Sequence, residues 1–149
     1  MDVRRFFGRD RFAARQGMKL VEVRPGFARA RMRAGRDHLN GVGIVQGGAL
    51  FTLADLAFAA ASNSHGAVAV AIEAGMSYTK AAGRGVIEAE AREVAVSPRL
   101  STCIVRVTDA SGELLALFKG TAYRKKETLV EVVAQVRGGR RRGRAQSKE

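Results

Sequence analysis

Residues 46–61 read QGGALFTLADLAFAAA, and this stretch decides the fold. Apart from Thr52 and Asp55, every residue after the two glycines is Ala, Leu or Phe, and Ala and Leu are strong helix formers. The run is apolar on nearly every face, which predicts a helix from about residue 47 to 64, buried all round and ending at His65-Gly66. A buried carboxylate is costly unless a partner satisfies it or chemistry uses it, so Asp55 is a candidate functional residue.

The two glycines that precede the run are a second candidate feature. Gly47 and Gly48 leave backbone N–H groups open at the start of the helix, where negative charge is stabilised. The candidate functional site therefore combines an anion-binding helix start with a carboxylate two turns later in the same helix.

Strand patterns surround this helix. Before it, residues 19–34 alternate on both sides of Pro25-Gly26, which predicts a strand, a turn and a second strand. After it, apolar residues recur at period two, with Gly, Pro or Asp at the breaks. These predicted strands span residues 68–79, 86–96, 100–108 and 113–123. One long helix followed by a meander of antiparallel strands predicts an α+β fold.

The two ends of the chain are less regular than its middle. Residues 1–18 are expected to form a short N-terminal helix or arm, and residues 19–126 a single domain. Residues 127–149 form a C-terminal extension, in which residues 128–136 are apolar enough for a further strand or a short helix. The rest of the extension is basic and of low complexity, so we expect it to be disordered.

Composition excludes several classes of protein. A chain of 149 residues with a single cysteine, Cys103, has no internal disulfide framework, which favours a reducing cytoplasm. The central apolar run is too short to span a bilayer, and residues 1–20 lack the apolar core of a signal peptide. No Cys/His cluster has the spacing of metal ligands, so we expect no metal.

The formal net charge of +12 leaves three interpretations open. Residues 137–149 hold six basic residues and one acidic residue, and the rest of the chain is also basic. The excess is consistent with a solvated surface, with attraction for an anionic small ligand such as a nucleotide, or with nucleic-acid binding. The third is disfavoured because the tail has no aromatic residue and the chain has no tryptophan, helix-turn-helix or zinc motif.

Several motifs keep a common order and spacing over residues 15–125. They are Asn40-Gly41-x-Gly43-x-x-Gln46-Gly47-Gly48, Leu53-Ala54-Asp55, Tyr78-Thr79-Lys80 and the turn Asp109-Ala110-Ser111-Gly112. In this order the chain resembles the hotdog-fold acyl-CoA thioesterases of the phenylacetate-pathway (PaaI-like) type. The resemblance implies an antiparallel sheet of about five to six strands wrapped around one long central helix.

The resemblance also implies an activity and an assembly. Members of this family hydrolyse the thioester of an acyl-coenzyme A, at sites between two subunits whose sheets pair edge to edge, and the dimers commonly pair again into tetramers. It assigns Asp55 as nucleophile or general base, the Gly47 amide as oxyanion donor, and Asn40 to the loop that holds the attacking water. Because eight residues of helix span about 12 Å, Asp55 cannot reach an oxyanion at its own Gly47. Function is therefore expected to depend on the dimer.

Gln46 departs from the pattern, because many relatives have histidine at this position. An amide can donate a hydrogen bond to the thioester carbonyl but cannot titrate, so any acid–base role at this position is removed. This departure keeps an alternative open, in which the protein is non-catalytic and binds acyl-CoA as a sensor or regulator.

The remaining site predictions concern the substrate, which includes coenzyme A, and no separate cofactor is expected. We expect Phe51, Phe58 and Met76 to line the acyl pocket and Gly48 to contact the substrate. Basic residues that precede or follow strands are candidates to meet the phosphates of coenzyme A. These residues are Lys80, Arg84 and Arg99.

Overall fold

The computed structural model describes residues 3–136, and its elements follow the predicted order. Two short helices, α1 (Val3–Phe7) and α2 (Arg11–Arg15), precede the hairpin of β1 (Lys19–Arg24) and β2 (Phe27–Ala34). A 3-10 turn (Arg36–His38) leads to the central helix α3 (Gly47–Ser62). Four strands come after it, which are β3 (Ala67–Tyr78), β4 (Gly85–Val96), β5 (Leu100–Asp109) and β6 (Leu114–Thr128). The prediction of an α+β fold is confirmed.

The six strands form one antiparallel sheet in the order β1-β2-β4-β5-β6-β3. The predicted meander is wrong at one place, because β3 does not pair with β4. Strand β4 pairs with β2 on one side and β5 on the other, so no edge of β4 remains for β3, which pairs with β6 instead. Strand β3 thereby becomes an outer edge of the sheet.

The core lies between α3 and the inner face of the sheet. Phe58 of the helix packs against Phe118 of β6, with ring centroids 5.5 Å apart. Gly120 leaves room for both rings, since a Cβ there would lie 2.8–2.9 Å from their atoms. Each large apolar side chain buried in this way stabilises the fold by about 1.5–3 kcal/mol. The helix is thereby fixed across the sheet, which sets the position of its start.

The expectation of a helix buried all round is wrong for one face of α3. Gly48 and Asp55 are exposed, and Thr52 and Ala59 are only half-buried. These four residues lie on one face because three- and four-residue steps return to the same side of a helix. The sheet covers only the opposite face of α3.

The outer edge of β3 is apolar, and no strand among residues 3–136 pairs with it. Val70 and Ile72 on β3 are 42% and 60% exposed, and Tyr78 at the end of the strand is 54% exposed. An edge strand with free N–H and C=O groups is a template for pairing with another chain.

The N-terminal residues form two short helices where one was expected, and the C-terminal end of the described chain takes an expected form. Residues 129–136 are helical, with Leu129 2% exposed, and this is one of the two forms expected there. Within residues 3–136, no helix is long and apolar enough to cross a membrane, and no group of side chains could hold a metal ion. The predicted disordered tail lies outside the described residues, and the domain limits and the cytoplasmic location stay predictions.

Candidate functional site

The start of α3 is capped by the side chain of Gln46. Its backbone is extended (φ −62°, ψ 133°), and its Oε1 accepts a hydrogen bond from the Ala49 N–H at 3.1 Å. A side-chain oxygen at this position satisfies one of the open N–H groups of a helix start. The amide nitrogen of Gln46 donates to no acceptor in the described part of the chain. The predicted role of Gln46 as a hydrogen-bond donor therefore remains a prediction that this geometry permits.

Each of the two glycines makes room for a different side chain. A Cβ on Gly48 would lie 2.6 Å from Oε1 of Gln46, so the capping side chain requires a glycine there. A Cβ on Gly47 would lie 3.1 Å from both Cζ and the hydroxyl oxygen of Tyr78, so the ring fills the space beside this residue.

The N–H groups of Gly47 and Gly48 are the first two of the helix. Neither donates to an acceptor among residues 3–136, as expected for a helix start whose cap satisfies only the third group. Two adjacent donors at the positive end of a helix dipole are suited to an anion or a developing oxyanion. The placement of Gly47 is compatible with its predicted role.

Tyr78 is a residue to which the sequence analysis assigned no role. Its hydroxyl donates a hydrogen bond to the carbonyl oxygen of Gly47 at 3.0 Å. Period-two spacing placed it in a strand, but spacing alone does not reveal that this strand end meets a helix start more than thirty residues earlier in the chain.

Asn40 closes the loop before the helix. Its Oδ1 accepts from the N–H groups of Val42 and Ile44 at 3.0 and 3.3 Å. This loop borders a cleft of about 340 Å³ beside the helix start. The residues that line it include Asn40, Gly47, Leu50, Tyr78 and Lys80. Asn40 thus shapes the predicted site, while its hold on a water molecule stays a prediction.

Asp55 has no hydrogen-bond or ion-pair partner within residues 3–136. It lies on the open face of α3, yet neighbouring protein atoms displace part of its water. This desolvation raises the pKa of the Asp55 carboxyl above its usual range, and the negative charge of Asp10 raises it further. Water solvates an exposed carboxylate, so the lack of a partner does not by itself assign a role, and it is the raised pKa that favours the chemical interpretation.

Asp10 is a second residue that the sequence analysis missed. Its carboxylate caps α2 by accepting from the Ala13 N–H at 2.9 Å. The helix-cap pattern was visible in the sequence, but the approach of α2 to α3 was not.

The predicted acyl-pocket residues differ in accessibility. Phe58 is 1% exposed and belongs to the core, so residues 3–136 enclose its ring. Phe51 and Met76 are partly buried against the same core, and Phe51 meets Phe118 edge-on at 5.2 Å. Their contact with an acyl group stays a prediction, and the protomer gives it more support for Phe51 and Met76 than for Phe58.

The three predicted phosphate-binding residues are not brought together. Lys80 lines the cleft and pairs with Glu113 (Nζ–Oε2 2.5 Å), and Arg84 is exposed in the connection before β4. Arg99 instead donates to the hydroxyl of Tyr123 at 2.6 Å, near the opposite end of α3. Only Lys80 and Arg84 therefore share one connection, between β3 and β4.

A separate polar cluster lies at that opposite end. Glu93 is paired with Arg124 and His65 and accepts from Ser101. Cys103 beside it is fully buried, and desolvation raises the pKa of its thiol to about 12. A thiol with such a pKa is a poor nucleophile at neutral pH, so Cys103 acts as a packing residue.

A central helix with one open face, wrapped by a six-stranded antiparallel sheet, defines a hotdog protein. Residues 42–116 match the model of the thioesterase superfamily. The chain belongs to this superfamily, and the prediction of a thioester-hydrolysing enzyme is confirmed.

Individual relatives refine the assignment. A protein of Archaeoglobus fulgidus, provisionally named an esterase, is 44% identical over 110 residues, which are 73% of this chain and 71% of the relative. The acyl-coenzyme A thioesterase PaaI of Escherichia coli K12 is 30% identical over 116 residues (77% of this chain, 83% of the relative).

Solved structures agree with this relationship. The E. coli PaaI structure superposes with a TM-score of 0.80 at 29% identity, covering 83% of this chain and 91% of its own. A mutant of the phenylacetic acid degradation protein PaaI from Thermus thermophilus superposes with a TM-score of 0.73 at 42% identity, covering 76% and 98%. The predicted resemblance to PaaI-like hotdog thioesterases is confirmed.

Proposed function

We propose that the protein hydrolyses acyl-coenzyme A thioesters to a free acid and coenzyme A, at a site built by two protomers. The observation that carries this proposal is the pair of features on α3: Asp55 on its open face and the Gly47 and Gly48 N–H groups at its start, none of which has a partner within residues 3–136. Similarity to a PaaI named as an acyl-coenzyme A thioesterase supports the choice of substrate.

Two protomers are required because the two halves of the chemistry are too far apart on one helix. Asp55 and Gly47 of one α3 are separated by about 12 Å along the axis. Pairing of the free β3 edge with the β3 of a second copy would continue the sheet and cover the apolar Val70 and Ile72. It would also bring the open faces of two α3 helices towards each other. We extend the proposal to a homotetramer made of two such dimers.

In this mechanism the thioester carbonyl lies at the helix start of one protomer. The N–H groups of Gly47 and Gly48 and the Gln46 amide donate to the oxygen as it becomes negative, and one such donor typically contributes about 3–4 kcal/mol to transition-state stabilisation. The Asp55 carboxylate of the second protomer either attacks the carbonyl carbon or removes a proton from a water positioned near Asn40. The carbon–sulfur bond breaks and coenzyme A leaves as a thiolate that takes up a proton.

The two routes differ in the species formed after the attack. Direct attack by Asp55 gives a mixed anhydride, which water hydrolyses to regenerate the carboxylate and release the acid. Activation of water gives the acid in one addition–elimination sequence. Lys80 and Arg84, in the connection between β3 and β4, are the proposed partners of the coenzyme A phosphates, while Phe51 and Met76 are the proposed contacts of the acyl group.

The proposal is tested by thiol release from a panel of acyl-CoAs that includes phenylacetyl and medium-chain groups. Wild type is expected to turn over at least one of them, and Asp55→Asn to lose activity by a factor on the order of a thousand or more. Glu22→Gln, on the outer face of β1, is the matched control and is expected to retain activity. Wild type that is inactive on the whole panel, or an Asp55→Asn variant that is as active as wild type, overturns the proposal.

The shared site has its own test. Two inactive variants, Asp55→Ala and Gly47→Val, are unfolded together and refolded as a mixture. Half of randomly formed dimers are mixed, and each mixed dimer keeps one intact site, so about a quarter of wild-type activity should return. A mixture as inactive as its components would exclude a site shared between subunits.

The alternative of a non-catalytic acyl-CoA sensor predicts a different result from the same panel. The observation that favours it is that Gln46 cannot exchange a proton and already uses its oxygen to cap the helix. Tight acyl-CoA binding by calorimetry without thiol release would support this alternative, whereas repeated turnover excludes it.

A further inference from the structure

The contact between Tyr78 and the helix start suggests a role beyond packing. The Tyr78 hydroxyl donates to the Gly47 carbonyl at 3.0 Å, and its ring fills the space in which a Gly47 side chain would lie. We propose that Tyr78 is a positioning residue, which fixes the peptide group between Gly47 and Gly48 and strengthens the Gly48 N–H as an oxyanion donor. This inference rests on the proposed function.

The backbone at Gly47 and Gly48 needs a contact that restricts its freedom. Two consecutive glycines have the greatest conformational freedom of any residues, and they lie at the end of a helix, where the backbone frays. An oxyanion donor is useful only if it is already oriented when charge develops. The Gln46 cap holds Ala49, but it makes no hydrogen bond to the Gly47–Gly48 peptide. Tyr78 makes the side-chain contact that holds this peptide.

The hydrogen bond from Tyr78 also has an electronic effect on the peptide group. The Gly47 carbonyl and the Gly48 N–H belong to the same peptide group, so a hydrogen bond accepted by the oxygen polarises the N–H as well. Such cooperativity is estimated to strengthen the second hydrogen bond by about 10–30%. Because the Tyr78 proton is directed to the Gly47 carbonyl, Tyr78 acts on the reaction through this peptide.

The position of Tyr78 in the sheet connects it to the proposed dimer. It is the last residue of β3, the free edge strand, and its backbone pairs with Ala116 of β6. The same strand is the one proposed to meet a second protomer. Tyr78 therefore links the orientation of the oxyanion donors to the strand that would form the dimer.

The test compares Tyr78→Phe with Tyr123→Phe. Tyr78→Phe keeps the ring but removes the hydrogen bond, so we expect kcat to fall about five- to tenfold with KM changed less than about twofold and the melting temperature nearly unchanged. Tyr123→Phe, the other tyrosine of the chain, removes a hydroxyl at the far end of α3 and should leave kcat unchanged. Because Tyr78→Phe keeps the ring, a role in packing alone predicts that kcat, KM and stability all stay unchanged.

A second readout does not depend on turnover. In a ¹⁵N–¹H spectrum, Tyr78→Phe should shift the Gly48 amide proton upfield, because its peptide group is less polarised, and Tyr123→Phe should not. If wild type turns over acyl-CoA but Tyr78→Phe leaves kcat unchanged, this inference is overturned while the proposed function stands. If wild type is inactive on the whole panel, the proposed function and the catalytic part of this inference both fail. An unchanged Gly48 shift overturns the polarisation step in either case.

Discussion

The charge of Asp10, which caps α2, acts on the carboxylate of Asp55 on α3. Desolvation and the charge of Asp10 both raise the pKa of Asp55. If Asp55 acts as nucleophile or base, it must be ionised, so the acidic limb of the pH profile of kcat/KM reports its pKa. We expect the midpoint of this limb to lie at a higher pH than the pKa of an ordinary aspartate.

The contribution of Asp10 can be separated from its structural role. Asp10→Asn removes the charge but keeps a side-chain oxygen that caps α2. The pKa of Asp55 should fall, so the acidic limb of kcat/KM should move to lower pH while activity at neutral pH changes little. Glu22→Gln removes a carboxylate from the outer face of β1 and should leave the limb in place. A limb unmoved by Asp10→Asn would contradict the predicted interaction.

Asp55 should also affect stability in a direction opposite to most surface carboxylates. Its pKa is raised above the reference value of 3.8, so the folded state holds the proton more tightly than the unfolded chain does. Stability is therefore lost as pH rises from about 3.8 through the folded-state pKa, and the full destabilisation is present above it. Asp55→Asn should raise the melting temperature at pH 7 and have little effect near pH 3.5.

Asp109 provides the matched opposite case. Hydrogen bonds from Ser111 and from backbone N–H groups of the turn hold its pKa below the reference value. Its contribution to stability is present above about pH 3.8 and is lost as pH falls through the lower folded-state pKa. Asp109→Asn should lower the melting temperature at pH 7. The two substitutions, Asp55→Asn and Asp109→Asn, should therefore change the melting temperature in opposite directions.

At the scale of the element, the start of α3 depends on the contact between the Gln46 side chain and Gly48. Gly48 is required by the Gln46 cap, and a Cβ at position 48 would displace the end of a flexible side chain. We expect Gly48→Ala to lose the cap, at a cost of about 1 kcal/mol that is partly offset by the better helix propensity of alanine.

A double-mutant cycle measures this coupling. Gln46→Ala removes the cap directly, and Gly48→Ala in that background should no longer destabilise the fold, because no side chain is left to displace. The measurement is the free energy of unfolding of the four proteins in urea. Additive effects of the two substitutions would show that Gln46 does not cap the helix in solution.

The elements themselves were largely predictable from local pattern. The central helix is explained by its run of Ala and Leu, the β1–β2 turn by Pro25-Gly26, and the later strands by alternation. Their pairing was not predictable in this way, because the position of β3 beside β6 depends on which strand edges remain free after β2 and β4 have paired. The contact of Tyr78 with Gly47 depends on that pairing and was missed for the same reason.

The open face of α3 was mispredicted for a different reason. A face of Gly, Thr and Ala looks like a core face in a sequence, and hydrophobicity does not distinguish contact with the chain's own sheet from contact with a second copy. Asp55 stands out in the sequence as the one charge within the apolar run, but residues 3–136 leave its face of α3 uncovered.

At the scale of the whole molecule, the exposed β3 edge predicts an assembly that is sensitive to charge. Ile72→Glu places a carboxylate on the proposed interface, where desolvation and like-charge repulsion across the two-fold axis oppose pairing. We expect light scattering to show dissociation and thiol release to fall in parallel. Val130→Glu changes a residue of similar exposure, 58% against 60%, on the C-terminal helical residues and should change neither property.

The pairing of β3 has a consequence for how the chain is made. Ala67 pairs with Thr128 and Tyr78 with Ala116, so β3 has no strand partner until β6 has been synthesised. At about 5–20 residues per second, synthesis of the intervening chain takes roughly two to twelve seconds, during which both edges of an apolar strand are unpaired. Pairings between segments so distant in sequence also form slowly. The strand proposed to join two finished subunits is therefore the one through which nascent chains are most prone to associate too early, so slower expression at lower concentration should favour soluble protein.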